Sequence, residues 1–162
     1  RKFQTPSVYE TLTVFENLEM SIPKGRTAIE AWFYRRTPEV VKKVEEVVEI
    51  IHLQDRLHDP ADALSHGQKQ WLEIGMLLVQ EPKLMMLDEP VAGMSAPERE
   101  QTAALLKRIR TGRSLVVVEH DMEFVKSIAD RVTVLHQGKW LAEGRMEVVQ
   151  EDPKVIEVYL GH

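Results

Sequence analysis

The sequence predicts an α/β fold in which a helical subdomain, residues 1–82, precedes a mostly parallel sheet with flanking helices, residues 83–162. The first observation is a set of apolar residues at helical spacing within residues 40–51, which gives one face of a helix that Pro38 can open. The second is a change of pattern after Lys83, where short apolar runs alternate with amphipathic stretches. Buried runs of that length separated by helices are what a parallel sheet with crossover helices requires.

Local signals place the other elements. Ser65 followed three residues later by Gln68 is a capping box, which begins a helix at about residues 67–79. Glu81 and Pro82 stop that helix. After it, in chain order, we predict a strand at 84–87, a helix at about 97–110, a strand at 115–118 and a helix at about 122–129. Residues 131–136 with 140–143 form a hairpin or a bent pair, and a short helix follows at 153–160.

Composition limits the classes of function. The chain has 162 residues, of which 43% are hydrophobic and 29% charged, so a core of ordinary size is possible. Its net charge of −5 disfavours a nucleic-acid partner, because phosphate binding needs clustered Lys and Arg. The lack of cysteine excludes disulfides and thiolate metal sites and is typical of a reducing cytosol. Apolar runs are shorter than the roughly 20 residues that span a bilayer, and no signal segment opens the chain. We therefore expect any work at a membrane to go through a partner.

Two adjacent carboxylates, Asp88 and Glu89, end the first predicted strand. Ligands of open α/β sheets bind at the carboxyl ends of strands, and alternation along a strand sends the two side chains in different directions. Asp88 is then placed to hold a magnesium ion, usually through water. Glu89 is placed to orient or deprotonate the water that attacks a γ-phosphate. The alternative is a strand that ends in two solvated acids before Pro90.

The capping box at residues 65–68 also has two interpretations. It is either an ordinary helix start or an anion site for a terminal phosphate, since a helix N-terminus presents exposed amides and a hydroxyl and Gly67 allows close backbone approach. Its position about twenty residues before Asp88 favours the anion site. His120, at the end of the second predicted strand, can donate a hydrogen bond to a γ-phosphate, or it is a strand-end histidine bonded to a neighbouring carbonyl.

Taken in order, these motifs resemble those of the ATP-binding subunits of ABC transporters, most closely the subgroup that serves branched-chain amino acid and urea importers. The apolar run that ends in Asp88 and Glu89 is similar to the Walker B motif, and residues 64–68 are similar to the signature motif. Gln4 matches the Q-loop, and residues 13–18 match the entry to the helical subdomain. The resemblance covers essentially all 162 residues.

The resemblance implies an ATP-binding and ATP-hydrolysing subunit of an importer for small solutes, with ATP and Mg²⁺ as cofactors. Gln4 and Asp88 would contact the magnesium ion. The catalytic set would be Glu89, His120 and Gln4, with His120 as the switch histidine. The nucleotide-binding set would be Ser65, His66, Gly67 and Gln68. All of these except His66 would face the γ-phosphate of a nucleotide held by a second subunit.

The sequence departs from the family pattern in three places. His66 stands where the family usually has glycine, which would crowd or retune the phosphate contact, and Ser95 stands where most members have the D-loop aspartate. The third departure is the missing phosphate loop, Gly-x-x-x-x-Gly-Lys-Ser/Thr. The only Gly-Lys in a plausible place is at 138–139, and Thr133 stands where the first glycine should be. We therefore expect the isolated chain to bind ATP and Mg²⁺ weakly or not at all and to show negligible ATPase activity.

The resemblance also implies partners and a location. These are transmembrane permease subunits and a second ATP-binding subunit, on the cytoplasmic, inner face of the cell membrane. The permease would dock on the helical half, where residues 32–34 form an aromatic cluster that could equally be core. By the family's strand order, the missing phosphate-loop strand leaves an unpaired edge beside Val116, so we expect the isolated chain to self-associate or swap strands.

Two other classes of function remain open. One is a non-catalytic interaction module that presents the helical subdomain and the signature helix to partner subunits. The other is an ABC-type DNA-repair or chromosome ATPase, which the acidic balance and the lack of heptad segments disfavour.

Overall fold

A computed structural model of the chain describes residues 8–23 and 36–160. Gln4 and the aromatic residues 32–34 lie outside the described residues. The chain forms two compact units, Arg1–Val118 and Glu119–His162. The division after residue 82, made on pattern alone, stays a prediction.

Each helix in the helical part of the first unit begins with a side-chain N-cap. Its helices are α1 (Val14–Ser21), α2 (Pro38–Ile50) and α3 (His66–Leu78), with short 3-10 turns at Gln54–Arg56 and Ala61–Ala63. The capping hydroxyls belong to Thr13, Thr37 and Ser65, each of which accepts a hydrogen bond from a backbone N–H in the first turn. The predicted start of α2 at Pro38 and the predicted helix after Ser65 are both confirmed.

The three helices pack closely around Gly75 of α3. A Cβ atom at Gly75 would lie 2.7 Å from Ile51 Cδ1 and 3.0 Å from Leu18 Cδ2. Distances that short leave no room for a side chain unless the neighbours move. The apolar core residues with no exposed surface in these helices and at the end of α2 include Val14, Leu18, Val44, Ile51 and Leu72.

A buried asparagine in α1 fixes the loop that precedes the helix. Asn17 has no exposed surface, and its Oδ1 accepts a hydrogen bond from Tyr9 N at 2.8 Å. Its Nδ2 lies 3.0 Å from Tyr9 O, 3.2 Å from Leu12 O and 2.9 Å from Thr13 O. The loop is also joined to the segment before α3, because Ala61 N donates to Leu12 O at 2.9 Å.

The remaining part of the first unit is a strand–helix–strand element: β1 (Leu84–Asp88), α4 (Ala96–Ile109) and β2 (Ser114–Val118). β1 and β2 are parallel, with Met86 opposite Val116, as the sequence predicts. The interpretation of these strands as runs buried on both faces is wrong. Met85 and Leu87 are buried, whereas the other face exposes apolar residues, with relative exposures of Leu84 53%, Met86 70%, Val116 44% and Val118 56%.

The second unit contains a hairpin and short helices. Its elements are α5 (Met122–Ile128), β3 (Val132–His136), β4 (Lys139–Gly144), α6 (Met146–Val149) and α7 (Pro153–Val155), which continues as a π-helix at Ile156–Leu160. β3 and β4 are antiparallel, so the predicted hairpin is confirmed. Gln137 and Gly138, with φ of 50° and 74°, form its turn, as tight hairpin turns require. The core of this unit includes Val134, Ala142 and Val155.

Candidate functional site

The chain leaves β1 through a turn that begins with a backbone outlier. Glu89 has φ of 46°, a left-handed conformation that costs free energy for a residue other than glycine and is common at functional sites. Its N–H donates to Val118 O at 2.8 Å, and its carbonyl accepts from Ala92 N at 3.1 Å. Residues 89–95, called here the Glu89 turn, are held by these bonds.

The two predicted carboxylates differ in their surroundings. Asp88 is exposed and continues the exposed face of β1. Glu89 is half-buried and leaves the strand in its different backbone conformation. The carboxyl end of β1 therefore presents an exposed carboxylate beside a half-buried glutamate whose backbone is held by the turn.

Residues 65–68, called here the signature turn, form the predicted capping box at the start of α3. Ser65 Oγ accepts from Gln68 N at 3.2 Å, and Gln68 Oε1 accepts from Ser65 N at 3.0 Å. Helix geometry leaves the amides of His66 and Gly67 without an intrahelical acceptor. A helix start of this kind favours an anion through its amides and its dipole.

The signature turn and the Glu89 turn are in contact. His66 Nε2 lies 3.1 Å from Ala92 O, and the ring also lies 3.5 Å from the position that a Cβ atom on Gly93 would occupy. Gly93 has φ of 71°, which favours glycine there. The sequence carries no signal for a contact between segments 26 residues apart, so this contact is a finding of the structure.

A second contact joins the two turns through Glu98 of α4. Its Oε2 accepts from Ser95 N at 2.9 Å and from Ser95 Oγ at 2.7 Å, so Ser95 and Glu98 form a capping box at the start of α4. Its Oε1 lies 2.5 Å from where a Cβ atom on Gly67 would stand. Sequence reasoning missed this role of Glu98, because a capping box shows the local partner and not the residue that meets it from another helix.

A buried hydrogen bond holds α3 against α4 below these contacts. Trp71 Nε1 donates to Thr102 Oγ1 at 2.8 Å, and both residues are buried. The Thr102 hydroxyl lies 2.8 Å from Glu98 O, to which it donates. A buried indole N–H needs such a partner, so this bond fixes the spacing of the two helices.

Of the remaining predicted residues, His120 belongs to the second unit. Its N–H donates to Glu119 Oε2 at 3.1 Å, and its Nδ1 lies 3.8 Å from the same oxygen. The His120 side chain is 78% exposed. Within the first unit, the structure brings the signature turn together with the Glu89 turn, whereas Gln4 lies outside the described residues.

Comparison with known proteins decides the family. The ABC transporter family matches residues 2–92, more than half of the chain. The chain belongs to the ABC transporter ATP-binding family. A further family, the branched-chain amino acid ATP-binding cassette transporter, matches residues 141–162. These results confirm the predicted family and fold class.

Individual relatives agree with this assignment. The ABC cassette is 32% identical to the high-affinity branched-chain amino acid transport ATP-binding protein BraF of Pseudomonas aeruginosa, over 99% of this chain and 67% of BraF. It is similar, with a TM-score of 0.79 and 32% identity, to the ADP conformation of an ATP-binding cassette of an ABC transporter, over 99% of this chain and 67% of that one. A dimeric cassette bound to ADP and Pi has a TM-score of 0.72 and 26% identity, over 89% of this chain and 61% of that one.

The family has consequences for cofactors. ABC ATPases in general bind ATP and Mg²⁺. The matched residues 2–92 of this ABC cassette include Gln4, the signature turn and both strand-end carboxylates. In the part of the chain that the structure describes, no helix has the length and apolar character needed to cross a membrane.

The contact between the two turns of the ABC cassette has an electrostatic consequence. The pKa of Glu98 lies below its ordinary value of 4.5 because the N–H and hydroxyl of Ser95 bond its carboxylate. A hydrogen bond from Ser65 and the charge of His66 lower it further, while desolvation raises it. The pKa of Glu16 is lowered in the same way by Thr13, at the start of α1.

We expect the stability of the chain to fall in acid, and Glu98→Gln to flatten that fall. A carboxyl with a lower pKa in the folded chain stabilises fully above its unfolded pKa, and this contribution is lost as the pH falls through the folded pKa. The loss should therefore occur below the ordinary value of 4.5. Urea unfolding at pH 7 and at several pH values from about 5 to 3 measures it. Glu16→Gln should remove the separate part of the acid-dependent stability that comes from the Thr13–Glu16 capping box. The assignment would be contradicted if wild type and Glu98→Gln lost stability identically in acid.

Proposed function

We propose that the chain is an ATP-binding and ATP-hydrolysing subunit of an ABC importer for small solutes such as branched-chain amino acids or urea, and that its signature turn acts on a nucleotide held by a second subunit. The observation that carries this proposal is the start of α3. There the Ser65 hydroxyl and the amides at His66 and Gly67 form an anion-binding helix start. The contacts with Ala92 and Glu98 hold that helix start in place.

The strand-end residues suit the cofactors of the family. Asp88 is exposed at the carboxyl end of β1, and carboxylate oxygens with water are the ligands that Mg²⁺ prefers. Bound Mg²⁺ would neutralise charge that develops on the phosphates. We assign Asp88 and Gln4 to the metal, Glu89 to the orientation of the attacking water, and His120 to a hydrogen bond with the γ-phosphate. Gln4 would also contact that water.

The signature turn has a matching assignment. Ser65, Gly67 and Gln68 would contact the terminal phosphate, and His66 completes the nucleotide-binding set. The amide of Gln68 is already bonded to Ser65 Oγ, so the amides at the two positions between them are the donors that the helix leaves over. Backbone binding of the phosphate would then fall to those two amides, beside contacts from the side chains of Ser65 and Gln68.

The proposed partners are those of an ATP-binding subunit. We propose a homo- or heterodimer with a second ATP-binding subunit, as the dimeric cassette with ADP and Pi supports, bound to permease subunits at the inner face of the cell membrane. The branched-chain amino acid transport named for BraF supports the solute class. The chain spans about two thirds of the length of that relative.

We also propose that the isolated chain self-associates. In the described residues β2 pairs only with β1, and the sheet exposes Met86 and Val116 on one face. Unpaired edges with apolar side chains favour pairing with another chain. We expect light scattering to show a dimer or larger species and Val116→Lys to reduce it, whereas a monomer at all concentrations would contradict the proposal.

Magnesium-ATP calorimetry tests the proposed function. The partner is a relative that contains a phosphate loop and carries alanine in place of its own signature serine, so that only this chain can supply a signature serine. We expect ATP to bind more tightly to the mixture than to either protein alone. No gain on mixing would overturn the composite site and favour the non-catalytic interaction module.

The isolated chain provides a second check. We expect it to show no ATP turnover above background, because its sequence lacks the phosphate loop that positions the β- and γ-phosphates. That positioning is the main part of phosphoryl-transfer catalysis. Turnover by the isolated chain that disappears in Glu89→Gln would contradict this expectation. The same variant should be folded, since Gln keeps the size of Glu and the backbone bonds of the turn.

A further inference from the structure

We propose that His66 is a positioning residue that couples the signature turn to the Glu89 turn, a role that rests on the proposed function of both turns. The observation is the 3.1 Å contact between His66 Nε2 and Ala92 O. It is a bond from a side chain at the start of one helix to the backbone of a turn 26 residues later in the chain.

The contact closes a short path between two proposed functional groups. Glu89 O accepts from Ala92 N at 3.1 Å, and Ala92 O is the partner of His66. The N–H and the carbonyl of the single residue Ala92 therefore link the backbone of Glu89 to the histidine of the signature turn. A shift of the Glu89 turn would move the acceptor of His66, and a shift of the signature turn would pull on the same residue.

The surrounding contacts explain why the side chain carries this role. Glu98 already occupies the space beside Gly67, and Trp71 fixes the helices further from the turn through Thr102. These contacts set the distance between α3 and α4. The remaining contact at position 66 reaches the Glu89 turn itself, in the segment where Gly93 adopts its left-handed conformation. His66 thus adds a specific bond to the turn rather than a packing contact to the helix.

Hydrogen exchange on the full chain tests the coupling without nucleotide. His66→Ala should speed exchange in residues 89–95 by about 3- to 10-fold, the range expected for one net hydrogen bond. His66→Gln, whose amide Nε2 can also donate to Ala92 O, should restore most of the protection. Unchanged exchange in His66→Ala would overturn the proposal whatever the nucleotide experiments show.

The positioning role is tested in the mixture with the relative that carries the signature-serine substitution. Binding is measured well below the melting temperature. There, His66→Ala should raise the Kd for magnesium-ATP by about 3- to 10-fold, and His66→Gln should bring the Kd back to the wild-type value. A residue that only stabilises the fold would lower the melting temperature without this pattern of Kd loss and rescue. Faster exchange with an unchanged Kd would overturn the positioning role. If the wild-type mixture binds no ATP, the proposed function fails, while the exchange experiment still decides the coupling.

Discussion

Ser65→Ala is expected to lower ATP turnover by the mixed assembly on the order of 100-fold, the typical loss for one donor aimed at a transition state. The mixed assembly is this chain with a phosphate-loop relative that lacks its own signature serine, so every productive site depends on Ser65. The substitution removes the hydroxyl at the start of α3 and leaves the amides of the helix start in place. Phosphate release measured at saturating ATP reports the loss.

A matched control separates this effect from the loss of a helix cap. Thr13 caps α1 as Ser65 caps α3, and each hydroxyl accepts from the N–H three residues later at 3.2 Å. Thr13→Ala and Ser65→Ala should each destabilise the chain by about 1 kcal/mol. Only Ser65→Ala should also lower turnover on the order of 100-fold. Similar turnover in the two variants would show that the signature turn acts through stability alone.

The fold was largely accessible from the sequence because its signals are local. Periodicity, the proline at 38 and the capping box at Ser65 placed α2, α3, α4 and α5 within about one or two residues of their observed bounds, which is the ordinary disagreement at helix ends. No bounds were predicted for α1 and α6. The strands were correct in place and direction, but their burial was not. An apolar run of four residues has the same sequence whether one face or both faces are covered, so the exposure of Met86 and Val116 had no local signal.

The site was accessible only in part. The signature turn and the strand-end carboxylates follow from motifs whose chemistry is local. The contacts from His66 to Ala92 and from Gly67 to Glu98 join segments about 26 to 31 residues apart. No spacing rule predicts which side chain of one capping box meets the other. The left-handed backbone of Glu89 was likewise invisible, since glutamate carries no preference for it.

Asn17→Ala is expected to destabilise the first unit by about 2–4 kcal/mol, because it removes a fully buried amide together with every bond that this amide makes to the preceding loop, and it leaves Tyr9 N without its Asn17 acceptor. Asn17 bonds Tyr9 N and Tyr9 O, and it also contacts the carbonyls of Leu12 and Thr13. Alanine can replace none of these contacts. The three carbonyls keep backbone donors, since Leu12 N bonds Tyr9 O, Ala61 N bonds Leu12 O and Asn17 N bonds Thr13 O, so Tyr9 N is the group that loses its partner. Urea unfolding followed by circular dichroism measures the loss.

The control is an amide side chain with similar chemistry in an exposed place. Gln80 Nε2 donates to Met76 O at 2.9 Å on the surface, so Gln80→Ala should change stability by less than about 0.5 kcal/mol. Hydrogen exchange adds a local readout, since Asn17→Ala should also expose the amide of Tyr9. Equal losses in the two variants would mean that burial contributes nothing at Asn17. A large loss confined to Asn17→Ala would show that one side chain in α1 holds the loop whose backbone joins the segment leading into the signature turn.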